Sequence, residues 1–145
     1  MILHTIGFTQ KSLRRFVELL RSAGVDAVID VRLKNTGQLA GWSKRDDLEF
    51  ILETFGIQYL HRPELAPTAE LLGRYRDDGD WDRYEREFPK LIAERDVYES
   101  TLALLNGYDR PCFLCSEHEP KRCHRRLLAD ELQARQPGLQ VVHLE

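Results

Sequence analysis

The stretch Ala27-Val28-Ile29-Asp30-Val31-Arg32 decides the fold. Val28, Ile29 and Val31 are apolar and β-branched, and they lack the strict polar alternation of a strand with one wet face. That is the pattern of a parallel strand covered on both sides. Parallel strands need crossover connections, and the sequence on either side supplies them. Upstream, residues 2–6 read as a strand stopped by Gly7; Thr9 or Ser12 then caps a helix whose Leu13, Phe16, Val17 and Leu20 form one stripe, and Gly24 ends it. Downstream, a Gly-containing loop over 33–42 leads into a helix from Lys44. Its Leu48, Ile51, Leu52 and Phe55 are at helical spacing, Gly56 closes it, and residues 57–60 give a third strand.

The alternation continues to the end of the chain. A polar segment over 64–86 reads as short helices carrying Trp81 and Tyr84, placed to form a lid. Residues 91–106 read as one helix stopped by Gly107, and 111–115 as a fourth strand. A helix begins near Cys123 with Leu127, Leu128 and Leu132 inward, and after the Pro137-Gly138 turn residues 139–144 form a last strand. The expectation is a single three-layer, Rossmann-like α/β domain with a mostly parallel sheet of about five strands, spanning 1–145.

Composition narrows the function classes. With 42% apolar and 31% charged residues and no apolar run near 18 residues, the chain is neither disordered nor membrane-spanning. The opening MILHTIGF lacks a basic start and a long apolar stretch, so a cytoplasmic location is expected, with cysteines free or metal-bound, while the short loop between Cys115 and Cys123 leaves a disulfide between them open. A net charge of −3 argues against electrostatic coating of nucleic acid. Lys121, Arg122, Arg125 and Arg126 nonetheless form a local patch able to hold a phosphate or carboxylate.

Open parallel sheets bind ligands at the carboxyl ends of their strands. Those ends carry Gly7; Asp30 and Arg32; His61 and Arg62; and Cys115 and Glu117, with Cys123, His124 and Arg125 opening the next helix. A thiol at a helix N-terminus among cations has a lowered pKa, which makes Cys123 a candidate nucleophile beside Cys115. Asp30, His61, Glu117 and His124 are candidates for proton transfer or for orienting the thiol. Gly7, Arg32, Arg62 and Arg125 are candidate ligand-binding positions. Cys112, inside a strand, belongs to the core. Cys112, Cys115, Cys123 and His124, with His118 or His61, also resemble a soft shell for Zn²⁺ or an iron–sulfur cluster. Side chains three residues apart on a strand point to opposite faces, however, so Cys112 and Cys115 cannot both ligate unless the strand breaks. A phosphatase-like cradle after Cys115 is disfavoured, because Ser116-Glu117-His118-Glu119-Pro120 has no Gly, two carboxylates and a Pro without an amide donor.

Taken in order, Thr5-Ile6-Gly7, Asp30-Val31-Arg32, His61-Arg62-Pro63 with Leu65, and Leu114-Cys115-Ser116-Glu117 followed by Cys123-His124-Arg125 closely resemble the domain of unknown function 488 family. Many relatives carry a Pro and a Ser-Arg pair soon after Asp-Val-Arg; Leu33-Lys34-Asn35-Thr36-Gly37 stands there instead, so no role of those residues carries over. The resemblance implies a compact Rossmann-like domain and supplies no reaction. It places Cys115, Glu117, Cys123, His124 and Arg125 inside the family motif and Cys112 outside it.

The leading expectation is therefore a cysteine-containing, enzyme-like pocket for a small anionic or nucleotide-like ligand, with no cofactor, no metal and no membrane partner. The alternatives are a non-catalytic nucleic-acid or partner-binding module using the basic patch, and a structural Zn²⁺ or iron–sulfur site.

Overall fold

In a computed structural model of the protein, which describes residues 1–36 and 41–145, five strands form one sheet. They are Ile2–Gly7 (β1), Ala27–Asp30 (β2), Gln58–His61 (β3), Pro111–Cys115 (β4) and Gln140–Leu144 (β5). Their order is β3-β2-β4-β1-β5, and every neighbouring pair is parallel. The six helices are Leu13–Ser22 (α1), Arg45–Thr54 (α2), Ala69–Asp78 (α3), Trp81–Arg95 (α4), Tyr98–Asn106 (α5) and His124–Arg135 (α6). The fold is a three-layer, Rossmann-like α/β arrangement, as the apolar run at 27–31 predicts.

Two apolar cores lie on the two faces of the sheet, because side chains alternate along a strand. On one face Ile6, Val28, Cys112 and Leu114 meet Phe16 and Leu20 of α1 and Leu48 and Leu52 of α2. On the other, Leu3, Ile29, Val31, Phe113 and Cys115 meet Phe88 and Ile92 of α4, Leu105 of α5, and Leu127, Leu128 and Leu132 of α6. Burying each such side chain contributes about 1.5–3 kcal/mol. Cys112 and Cys115 thus belong to opposite cores, as their spacing requires.

The local chemistry explains the boundaries. Ser12, not Thr9, caps α1, its hydroxyl accepting the Arg15 N–H at 3.1 Å. Gly24 then takes φ +71°, a conformation that side chains rarely adopt. The predicted single helix over 91–106 is two helices. Leu91 belongs to α4, Asp96 ends it at φ +55°, and α5 starts at Tyr98. Leu91, Val97, Leu102 and Leu104 all pack on the same core, so apolar residues recur on both sides of the break. No Gly or Pro marks the break in the sequence, and Asp tolerates the left-handed conformation that makes the turn. The segment 64–86 does hold helices: α3, capped by Thr68, and the first turns of α4, capped by Asp80. Of the predicted Gly-containing loop, residues 37–40 lie outside the described residues.

The topology fixes where a site can form. β4 lies between β1 and β2, whose following helices α1 and α2 cover one face, while α6 leaves β4 onto the other. Connections that diverge to opposite faces leave a crevice at the carboxyl end of the strand between them. Cys115 is the last residue of that strand. Among the described residues no helix is long and apolar enough to cross a membrane.

Candidate functional site

Cys115 points from the end of β4 toward α4 and α6. Cys123 occupies the N-cap of the twelve-residue helix α6 in an extended conformation, and its side chain makes no capping hydrogen bond. Its sulfur is left beside the positive end of the helix dipole. His124 follows as the first helical residue. All three are buried, and the two sulfurs and a ring nitrogen lie within 4.8 Å of one another. Cys115 Sγ is 3.6 Å from His124 Nδ1. His124 Nε2 is 2.7 Å from the Val31 carbonyl, which can only accept, so Nε2 donates there and Nδ1 is the ring nitrogen turned toward the sulfurs. The Phe88 ring meets the imidazole edge-on at 5.5 Å and holds its plane.

The surroundings of the two thiols push them in opposite directions. The hydrogen bond with Cys123 and then burial push the Cys115 thiol well above its ordinary value. Burial also works against ionising Cys123. Hydrogen bonds from Cys115 and His124, with the charges of His124 and Arg125, outweigh it and hold Cys123 well below its ordinary value. The two shifts run in opposite directions, so Cys123 is the sulfur favoured to ionise and Cys115 the one favoured to keep its proton. Cys112 has no such partner, and burial drives its thiol upward.

The loop between Cys115 and Cys123 is held from below. Gly7 sits so close to it that a Cβ there would lie 1.6 Å from the Glu117 carbonyl oxygen. Arg125, fully buried, donates from Nη1 to the Glu117 carbonyl at 2.6 Å, from Nη2 to the His118 carbonyl at 3.1 Å, and from Nε to the Thr5 hydroxyl at 3.3 Å. Thr9 adds its amide and hydroxyl to the Ser116 carbonyl. Gly7 and Arg125, both expected to touch a ligand, instead brace this loop, and neither lines the cavity described below.

Asp30 and its partners form a separate network on the other face of the sheet. Asp30 accepts from Arg32 N, Nε and Nη2 at 2.8–3.1 Å, from the Tyr59 hydroxyl at 2.6 Å and from Asn35 Nδ2 at 3.5 Å. Arg32 Nη2 also reaches the Ser43 carbonyl at 2.8 Å. His61 Nε2 donates to the Arg32 carbonyl at 3.0 Å, and Arg62 Nη1 to the His61 carbonyl at 3.2 Å. Asp30, His61 and Arg62 are thus not brought to the cysteines. Arg32 is shared: Nη1 is buried with no partner among the described residues, and the residue forms part of the cavity wall near Cys115.

That cavity, of about 440 Å³, has Cys115, Cys123 and His124 in its floor, with Ser116 and Glu117 beside them. Arg32, Lys34, Arg76 and Arg122 line it against the single carboxylate of Glu117. Its far wall is aromatic: Tyr75 of α3 and Trp81 and Tyr84 of α4, the last two stacked at 5.1 Å and 17°. Tyr75 and Arg76 were not singled out by sequence reasoning. The available signal was the spacing of Trp81, Tyr84 and Phe88, which puts one aromatic stripe on α4 facing the cysteine edge. The basic patch is also reduced, since Arg125 is consumed by the loop and Arg126 pairs with Asp130 and Glu85 at 2.9 and 3.0 Å. Lys121 and Arg122 remain exposed.

Fold and site together define a Rossmann-like α/β protein with a buried Cys–Cys–His cluster at the carboxyl edge of its sheet. The chain belongs to the family described as Domain of unknown function DUF488, which matches residues 12–132. No curated protein and no solved structure is significantly similar to it. Chemically, the cluster can supply a thiolate nucleophile, a dithiol for redox exchange, or soft ligands for a metal.

Proposed function

We propose that the protein is an enzyme that binds a small anionic, nucleotide-like ligand in this cavity and uses the Cys115–Cys123–His124 cluster as its reactive centre. One observation carries the reading: Arg32 Nη1 is buried and has no partner among the described residues, while every other donor of the same guanidinium is satisfied. An orphaned buried donor on a charged group is costly, and an anion entering from the cavity side would satisfy it. Arg76 and Arg122 add charge at the rim, and Tyr75, Trp81 and Tyr84 offer a face for a flat group. Glu117 lines the same cavity and takes the role of proton carrier.

The test is calorimetric titration of inorganic phosphate and adenosine monophosphate into the wild type and into Arg122→Gln and Arg76→Gln, both exposed positions that leave the Asp30 network intact. Binding that weakens about tenfold per lost charge supports the reading. Absence of binding at low salt, or binding indifferent to both substitutions, removes it.

A further inference from the structure

The cluster in the cavity floor has a geometry that thiol chemistry alone does not require. We infer that Cys115 Sγ, Cys123 Sγ and His124 Nδ1 form a three-ligand site for a borderline-soft divalent cation, Zn²⁺, whose fourth coordination position opens into the anion cavity. The inference rests on the reading of that cavity as the working pocket.

Three observations carry it. The first is distance. A tetrahedral site with Zn–S near about 2.3 Å and Zn–N near about 2.05 Å separates sulfur from nitrogen by about 3.6 Å; Cys115 Sγ and His124 Nδ1 are 3.6 Å apart, and all three donor atoms fall within 4.8 Å. The second is the imidazole's orientation. A ligating His typically donates its other N–H to a backbone carbonyl or carboxylate, which fixes the tautomer and raises the basicity of the ligating nitrogen. His124 does this through Nε2 to the Val31 carbonyl at 2.7 Å, and the edge of Phe88 locks the ring. The third is charge. This buried trio packs two ionisable thiols and an imidazole against Phe88 and Tyr84, where an isolated thiolate is costly. Two thiolates and a neutral imidazole around Zn²⁺ sum to zero, the state a low-dielectric site favours.

The alternative fourth ligand, Cys112, is excluded because it lies in the opposite core. No other Cys, His, Asp or Glu among the described residues completes the set. Three protein ligands with a position facing a cavity are the arrangement of catalytic rather than closed structural zinc. The position faces the same space as Arg32, Arg76 and Arg122, so an anionic group held by the arginines would lie within reach of the metal. Binding displaces the thiol proton and any proton on Nδ1, and His124 then ligates through that nitrogen without losing the Val31 hydrogen bond.

The experiment is elemental analysis of the full chain, expressed in zinc-supplemented medium and purified without chelator, followed by replacement with Co²⁺. The site predicts about one Zn per chain, a near-ultraviolet thiolate-to-Co²⁺ charge-transfer band, and the intense visible bands of a tetrahedral centre. Cys123→Ser and His124→Gln should each lower the Zn content about tenfold or more, while Cys112→Ala retains it. Added cyanide should shift the Co²⁺ bands if the fourth position is open. Wild-type protein with less than about a tenth of an equivalent and no charge-transfer band overturns the site, even where a variant fails to fold. Undiminished Zn in folded Cys123→Ser overturns the ligand set, and a Co²⁺ spectrum indifferent to cyanide overturns the open position. Phosphate titration reads the pocket separately: metal without phosphate binding supports the site and removes the anion reading.

Discussion

Two polar clusters lie at the same edge of the same sheet, and they differ in how completely they are satisfied. Around Asp30, five donors from Arg32, Tyr59 and Asn35 converge on two carboxylate oxygens, so the carboxylate has no capacity left for a substrate. Around Cys115 and Cys123, the two sulfurs meet each other, one imidazole and the Ser116 backbone, and a cavity lies in front of them. A saturated buried network specifies structure; an unsaturated one beside a cavity is where chemistry has room to occur. Arg32 belongs to both, with its Nε and Nη2 fixed to Asp30 and its Nη1 left over.

The comparison breaks first at Asp30. Replacing Asp30 with Ala strands a buried guanidinium and three other donors, and should cost about 3–5 kcal/mol in urea unfolding. A loss under about 1 kcal/mol would mean the network is not structural. Next in size is Gly7→Ala. A Cβ 1.6 Å from the Glu117 oxygen must push the 116–118 loop away, and a cost of about 1–3 kcal/mol is expected, together with weaker phosphate binding because Glu117 and Arg122 move. Arg122→Gln should leave stability within about 0.5 kcal/mol and weaken phosphate binding about tenfold, seen by melting and by titration. Smallest is the effect of Cys123→Ser on stability in chelator-treated protein. An N-cap Ser is itself a good cap, so the change should stay within about 1 kcal/mol while alkylation at that position is lost. A collapse there would move Cys123 into the structural class with Asp30.

The same contrast explains what was legible in the sequence. The apolar run at 27–31, the Gly stops and the strand-end rule placed Cys115, Cys123 and His124 together, because consecutive residues near one strand end converge whatever the tertiary detail. The separation of Cys112 from Cys115 followed from strand alternation alone. Asp30 looked equally functional at a strand end. Its partners, Tyr59 and Asn35, are unremarkable in sequence, and only the register of β2 against β3 brings the Tyr59 hydroxyl to the carboxylate. Arg125 shows the same limit: a cation at a helix start suggests an anion site, and only the structure shows that it bonds the carbonyls of its own preceding loop. The aromatic and cationic wall from α3 and α4 depends on how a crossover packs over the sheet edge, which no local pattern reports.

The central claim is that the Cys123 thiolate is reached through a cation-lined cavity, and charge-selective alkylation tests it directly. In metal-free protein, Cys123 should react with anionic iodoacetate faster, relative to neutral iodoacetamide, than the same cysteine does in the urea-unfolded chain, because Arg32, Arg76 and Arg122 concentrate anions at the sulfur. Added phosphate should suppress that preference. Labelling that appears only on unfolding, or a preference for the neutral reagent in the folded protein, would contradict the account.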